Sequence, residues 1–167
     1  YPENAGAVIV APAATVSDVD STNFDGGRLV VYFSDNGQPE DRIAISNLGT
    51  GAGQIGVSGN TVTYGGVVIG SWTGGTDGAT ELIVSFNANA TAESVQALGR
   101  RITYENVSDN PSTLVRTMVG YLEDGDGGTS NTVGGTLTIL PANDAPVVTI
   151  TPASYAATEQ VVLTLSG

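Results

Sequence analysis

Short runs of alternating apolar and polar residues dominate the chain, and such runs are typical of β-strands. Turns rich in glycine, asparagine and aspartate, such as Asp35-Asn36-Gly37, separate them. These residue types tolerate the positive φ angles that tight hairpins require. The pattern predicts an all-β chain that forms an antiparallel β-sandwich or barrel. The predicted strands are Val8–Val10, Arg28–Ser34, Arg42–Ser46, Thr61–Tyr64, Val67–Trp72, Leu82–Phe86, Arg101–Glu105, Leu114–Leu122 and Thr132–Leu140.

One segment, Thr91–Leu98, departs from the strand pattern and predicts a short helix. It begins with a threonine that can cap a helix, has an acidic residue in its first turn, and contains good helix formers. Val95 and Leu98 are three residues apart, so they fall on one helical face. We expect this face to cover one end of the sandwich.

The chain divides at a linker-like segment. Residues 141–147 include Pro141-Ala-Asn-Asp-Ala-Pro146, a composition typical of interdomain linkers. Residues 1–140 are long enough to bury a core of their own. Residues 148–167 are too few for a domain, and their tyrosine, glutamate and apolar run resemble the start of the chain. We interpret residues 1–140 as one repeat and residues 148–167 as the start of the next, within a longer protein.

Composition excludes several classes of function. The chain has 167 residues, with 17 acidic residues against 5 arginines, and it lacks lysine, histidine and cysteine; its formal charge is −12. Without histidine or cysteine there is no Ser-His or Cys-His nucleophile and no ordinary zinc site. Without lysine there is no P-loop lysine and no Schiff base. An acidic chain repels nucleic acid and anionic membranes, and no apolar run approaches the length of a membrane span.

The acidic residues cluster in predicted turns, which points to calcium. Calcium takes six to eight oxygen ligands, and alternating Asp-x-Asp segments let carboxylates and carbonyls face one ion. No segment completes an EF-hand loop. Solvated turns without a ligand remain the alternative, because aspartate, asparagine and glycine favour turns whatever the function. The candidate calcium ligands are Glu3, Asp18, Asp20, Glu105, Asp109, Asp124, Asp126, Asn143 and Asp144.

The predicted order of strands assigns these ligands to the two ends of the sandwich. One end, where the next repeat begins, is expected to hold Asp18, Asp20, Glu105, Asp109, Asn143 and Asp144. The opposite end is expected to hold Glu3, Asp124 and Asp126. Two anionic ends repel each other unless cations bridge them.

Several segments together resemble the cadherin-like repeats of large bacterial surface proteins. These segments are Val16–Ser21, Gly53–Ser58, Ile102–Asn106, Asp124–Ser130 and Asn143–Pro146. The resemblance implies a cadherin-like or Ig-like Greek-key sandwich that calcium holds in line with neighbouring repeats. It matches Asp18 and Asp20 to ligands at the base of the first strand, and Asn143 and Asp144 to linker ligands. The linker lacks the leading aspartate of cadherins, and no Leu-Asp-Arg-Glu segment is present.

We therefore expect a non-catalytic, calcium-binding repeat of a long extracellular or cell-surface protein, a rigid extender in adhesion. Its partners would be adjacent repeats or identical subunits, with a cell-surface or matrix ligand elsewhere. Paired carboxylates could in principle hydrolyse glycosides, but here they lie in glycine-rich turns. The alternative hypothesis is a self-assembling filament subunit, in which the apolar run at residues 160–165 adds as a strand to a neighbouring subunit.

Overall fold

The computed structural model describes residues 1–149, and this part of the chain contains ten strands and one helix. In chain order they are β1 (Val8–Ile9), β2 (Arg28–Asp35), β3 (Asp41–Ile45), β4 (Ile55–Ser58), β5 (Thr61–Tyr64), β6 (Val67–Thr73), β7 (Leu82–Phe86), α1 (Ala92–Gly99), β8 (Ile102–Asn106), β9 (Arg116–Glu123) and β10 (Val133–Leu137).

The strands form two antiparallel sheets of unequal size. The small sheet has the order β1-β8-β3, and the large sheet has the order β10-β9-β2-β7-β6-β5-β4. Every pairing between these named strands is antiparallel. The expected all-β antiparallel β-sandwich with one short helix is confirmed.

One hydrophobic core lies between the two sheets. Val31 and Val84 contribute to it from the large sheet, and Ile43 and Tyr104 from the small one. Successive side chains of a strand point to opposite faces of its sheet, so alternate positions of β3 are buried. Asp41 occupies one of these buried positions, and its partners are described below.

The helix forms where its capping residues predicted it. Thr91 is the N-cap, its hydroxyl accepts the N–H of Ser94, and the Ser94 hydroxyl accepts the N–H of Thr91 in return. Val95 and Leu98 are buried in the core. The expectation that these two residues form the inward face is confirmed.

One strand was not predicted, and several strand boundaries differ from the predicted ones. The sequence pattern missed β4, and β9 begins two residues later than predicted, at Arg116. β10 ends at Leu137 rather than Leu140, which is 60% exposed. Residues 141–149 contain no strand or helix. The interpretation of residues 148–167 as the next repeat or a donor strand lies almost wholly outside the described residues.

Candidate functional site

The first three residues lie alongside the chain that leads into the linker. The Tyr1 ammonium donates to the Thr138 carbonyl at 2.8 Å, and the Leu140 N–H donates to the Tyr1 carbonyl at 2.8 Å. The Glu3 N–H then donates to the Leu140 carbonyl at 2.9 Å. A parallel bridge between Pro2 and Leu140 completes the pairing. The start of the chain therefore lies at the same end of the sandwich as the linker.

This pairing places the Glu3 side chain against the linker itself. Glu3 is 9% exposed, and its Oε2 accepts the Ala142 N–H at 2.6 Å. Its Oε1 is buried and has no hydrogen-bond partner among residues 1–149. An unsatisfied buried oxygen is costly in free energy. Asn143 and Asp144 follow Ala142 directly, and both are exposed.

Two further candidate ligands lie toward the same end. The N–H of Asn106, the last residue of β8, donates to the Tyr1 hydroxyl at 3.3 Å, which places the end of this strand beside Tyr1. Glu105 precedes it, opposite Arg42 of β3, and Asp109 lies in the exposed turn that follows. We call this region, with Glu3, Asn143 and Asp144, the linker end.

The opposite end carries Asp18, Asp20, Asp124 and Asp126, and we call it the turn end. Asp124 Oδ1 accepts the N–H groups of Asp126 and Gly128 at 2.8 and 2.9 Å. The turn packs so closely on Asp25 that a Cβ at Gly125 would collide with the Asp25 carbonyl oxygen, and Gly125 has φ +93°. Glycine is therefore required there.

Like charges are crowded at the turn end. Asp18 accepts the N–H groups of Ser21 and Asp20 at 3.0 and 3.2 Å, and these hydrogen bonds lower the pKa of its carboxyl. A hydrogen bond to the Asp18 carboxylate, with the repulsion of its charge, raises the pKa of Asp20. The charge of Asp124 raises that pKa further. The Asp124 turn also packs against Asp25, shortly after Asp20 in the chain, so Asp18 and Asp20 lie at the turn end with Asp124.

The expected grouping of ligands is therefore wrong in two respects. Asp18 and Asp20 lie at the turn end rather than with the linker, and Glu3 lies at the linker end rather than with Asp124. The reason is the direction of β1. Because Val8 pairs with Tyr104 and the Val10 N–H donates to the Ile102 carbonyl, the chain runs away from the linker. The predicted grouping assumed that β1 runs toward the linker, which would have placed Asp18 and Asp20 there.

The structure also shows a buried polar cluster that the sequence analysis did not identify. Asp41 Oδ1 accepts the Tyr104 hydroxyl and the Asn106 Nδ2, both at 2.7 Å. Asp41 Oδ2 accepts the Arg116 Nε at 3.1 Å and the Gln38 N–H at 2.8 Å. Burial, the hydrogen bond to Asp41 and the charge of that carboxylate raise the pKa of Tyr104. The sequence signal for this cluster was Arg116, a charged residue that alternates with Leu114 and Met118 on the apolar face of a predicted strand.

Among residues 1–149, no three acidic side chains are arranged closely enough to hold a metal ion by themselves. The helix within these residues is too short to span a membrane. No protein-family model, curated protein or solved structure matches the chain.

Proposed function

We propose that the chain is a calcium-binding structural repeat of a long extracellular protein, which acts as a rigid extender in adhesion and catalyses no reaction. The observation that carries this proposal is the Glu3 carboxylate. Its Oε1 is buried without a hydrogen-bond partner among the described residues, immediately beside the Asn143-Asp144 segment of the linker. A buried carboxylate oxygen is stable when it binds a cation or a hydrogen-bond donor.

The charges at the linker end support a bridging ion. The linker end offers oxygens from Glu3, Asn143 and Asp144, and calcium requires six to eight. Because Tyr1 and Glu3 pair with the chain that leads into the linker, a following repeat of the same fold would begin at its own linker end and present its counterpart of Glu3. A calcium ion held between two such ends would neutralise both and stiffen the linker.

The proposal predicts that calcium binding depends on Glu3. In calorimetric titration and thermal unfolding, we expect calcium to bind and to raise the unfolding temperature, as does any ligand that binds only the folded state. Glu3→Gln should weaken calcium binding by about tenfold or more, since a charged ligand oxygen becomes a neutral amide. Glu81→Gln removes the same charge at an exposed residue that is not among the candidate ligands and should bind as the parent does.

Two results would overturn this function. The first is a chain that binds no calcium and whose unfolding temperature is the same in calcium and in chelator. The second is a Glu3→Gln variant that binds calcium as tightly as the Glu81→Gln control. Either would leave the acidic turns as solvated turns.

A second candidate function, the filament subunit, is favoured by a groove at one side of the sandwich. The groove has a volume of about 880 Å³ and separates β1, an edge strand of two residues, from β9 and β10. Its lining includes Val8, Leu29, Met118 and Leu137. We infer that the apolar run at residues 160–165 of another copy would fit there as an added strand.

Deletion of residues 150–167 separates the two candidates. The filament hypothesis expects the full chain to polymerise and the shortened chain to stay monomeric in light scattering and electron microscopy. A full chain that stays monomeric at high concentration would contradict it. Calcium binding through Glu3 would survive the deletion, since the residues at both ends precede position 150.

A further inference from the structure

A pocket of about 500 Å³ lies apart from both acidic ends, beside the helix. The surfaces of α1, β1 and β5 contribute to its walls. Its volume lies within the range typical of small-molecule sites. The lining side chains used below are Pro12, Tyr64, Glu93, Gln96, Arg100 and Arg101.

Two of the chain's 5 arginines line this pocket, in a protein whose formal charge is −12. Arg28 and Arg116 each pair with a carboxylate, whereas Arg100 and Arg101 form no ion pair within residues 1–149. Arg100 Nε donates to the Ala14 carbonyl at 2.8 Å, and Arg101 Nη2 donates to the Ser46 hydroxyl at 2.7 Å. Each guanidinium is thus held in place by one neutral acceptor, with its charge uncompensated by a carboxylate.

The Arg101 side chain is incompletely satisfied. Its Nε is buried and has no acceptor among the described residues. A cation near the C-terminus of a helix stabilises the last carbonyl groups, and this effect accounts for Arg100, the C-cap residue of α1. The helix C-terminus does not account for the Arg101 Nε, which has no acceptor within residues 1–149. A carboxylate in the pocket would supply one, because guanidinium binds carboxylate with paired hydrogen bonds.

Groups that suit hydroxyls also line the pocket. Glu93 Oε1 accepts the Tyr64 hydroxyl at 2.7 Å, and this hydrogen bond fixes the carboxylate. Glu93 Oε2 makes no hydrogen bond within residues 1–149, so it is available as an acceptor. Gln96 is oriented because its Oε1 accepts the Val16 N–H at 3.3 Å, which leaves its amide NH₂ free to donate. Pro12 adds an apolar wall.

We propose that this pocket binds a small hydroxylated carboxylate, such as a hexuronic acid. Arg100 and Arg101 bind the carboxylate, and Glu93 and Gln96 bind hydroxyl groups. The large negative charge of the chain disfavours extended polyanions, whereas a single carboxylate needs only the local pair of guanidinium groups. This activity is independent of the proposed calcium function, since none of the candidate calcium ligands lines the pocket.

The test uses matched sugars and the full chain. Titration of the ¹⁵N-labelled protein with galacturonate should shift the amide signals of Gly53 and Ala97, which line the pocket. Galactose, which lacks the carboxylate, and acetate, which lacks the ring hydroxyls, should each bind about tenfold more weakly or worse, since hydrogen bonds to charged groups have this size. Trigalacturonate carries the same carboxylate and hydroxyl groups on its terminal sugar. If it binds more tightly than galacturonate, the natural ligand is the end of an oligosaccharide; if it binds more weakly, the ligand is the free sugar acid.

Variants assign the binding to the arginines. Arg101→Gln should abolish the galacturonate shifts, and Arg101→Lys should weaken binding because an ammonium group lacks the planar fork. Arg28→Gln, at the turn end, changes the net charge by the same amount as Arg101→Gln and should bind galacturonate as the parent does. If Arg101→Gln does not fold, Arg101→Lys and Arg100→Gln remain as tests. Equal binding of galactose, equal binding of acetate, or unchanged binding in the arginine variants would each overturn the proposal.

Discussion

The two ends of strand β9 each carry an arginine–carboxylate pair, and the two pairs differ in almost every respect. At the linker end, Arg116 Nε lies 3.1 Å from Asp41 Oδ2, and both side chains are 0% exposed. At the turn end, Arg28 donates from Nε and Nη2 to the two oxygens of Glu123 at 2.8 Å each, with the side chains 44% and 32% exposed. The exposed pair has the better hydrogen-bond geometry.

Burial rather than geometry decides which pair the fold depends on. Asp41 belongs to β3 of the small sheet and Arg116 to β9 of the large one, so their contact joins the two sheets. Arg28 and Glu123 are opposite each other within one sheet that is already paired through its backbone. Water solvates the exposed pair whether or not it forms. Neither member of the buried pair has that alternative.

The largest expected effect comes from breaking the buried pair. Asp41→Asn leaves the Arg116 guanidinium buried without its carboxylate, and loss of one partner of a buried pair costs about 3–5 kcal/mol. Urea unfolding with linear extrapolation measures this loss. Asp35→Asn, at an exposed position at the end of β2, is the control and should change little. A loss for Asp41→Asn as small as that of the control would show that water reaches Arg116.

A smaller effect concerns the hydroxyl of Tyr104, which donates to Asp41. Burial, this hydrogen bond and the Asp41 charge raise the pKa of Tyr104 above the ordinary tyrosine value of 10.0. Because the folded-state pKa is the higher one, the stabilisation is fully present below the unfolded pKa and is lost as pH rises through the folded pKa. Phenolate absorbance should therefore show Tyr104 ionising after the partly exposed tyrosines, or together with unfolding.

Tyr104→Phe identifies this late titration. The variant should lack the late-ionising tyrosine and should lose about 1–2 kcal/mol at neutral pH, since one oxygen of Asp41 then loses a donor. Tyr121→Phe, on a partly exposed side chain, should keep the late titration. If Tyr104→Phe left the alkaline titration unchanged, the hydroxyl would not be buried against Asp41 in solution.

The smallest effect is expected at the exposed pair. The hydrogen bond from Arg28 lowers the pKa of Glu123, so its contribution is present above the unfolded pKa and is lost as pH falls through the folded pKa. Arg28→Gln and Glu123→Gln should leave the urea midpoint nearly unchanged, and any difference should shrink with added salt. A midpoint shift as large as that of Asp41→Asn would remove the distinction between the two ends.

The strands and the helix could largely be predicted from local sequence because their signals are local. Alternation of apolar residues identified nine of the ten strands in the described residues, and the capping residue Thr91 identified the helix. Strand β4 was missed because its sequence, Ile-Gly-Val-Ser, has only two large apolar residues and is flanked by glycines. A Cβ at Gly56 would approach the Gly49 carbonyl oxygen at 2.8 Å, so close packing favours the residue that weakens the strand signal.

The candidate calcium ligands were chosen from residue type and turn position, which the sequence contains, and their role remains a prediction. Their grouping was wrong because it required the direction of β1, which depends on its pairing with β8, and the position of Glu3, which depends on the pairing between Tyr1 and Leu140. Alternation within a strand reports which face is buried and carries no information about which distant segment lies alongside it. The same limit hid the Arg100–Arg101 pocket, whose walls come from segments far apart in sequence.

The sequence by itself determined the class of fold, the short helix and the acidic turns. These follow from the preferences of neighbouring residues, from side-chain periodicity and from net charge, all of which act over a few positions or over the whole composition. Only the tertiary structure decided that Glu3 meets the linker, that Asp18 lies with Asp124, and that Asp41 is buried with Arg116. Each of these depends on contacts between segments distant in the chain, which form only when the two sheets pack together.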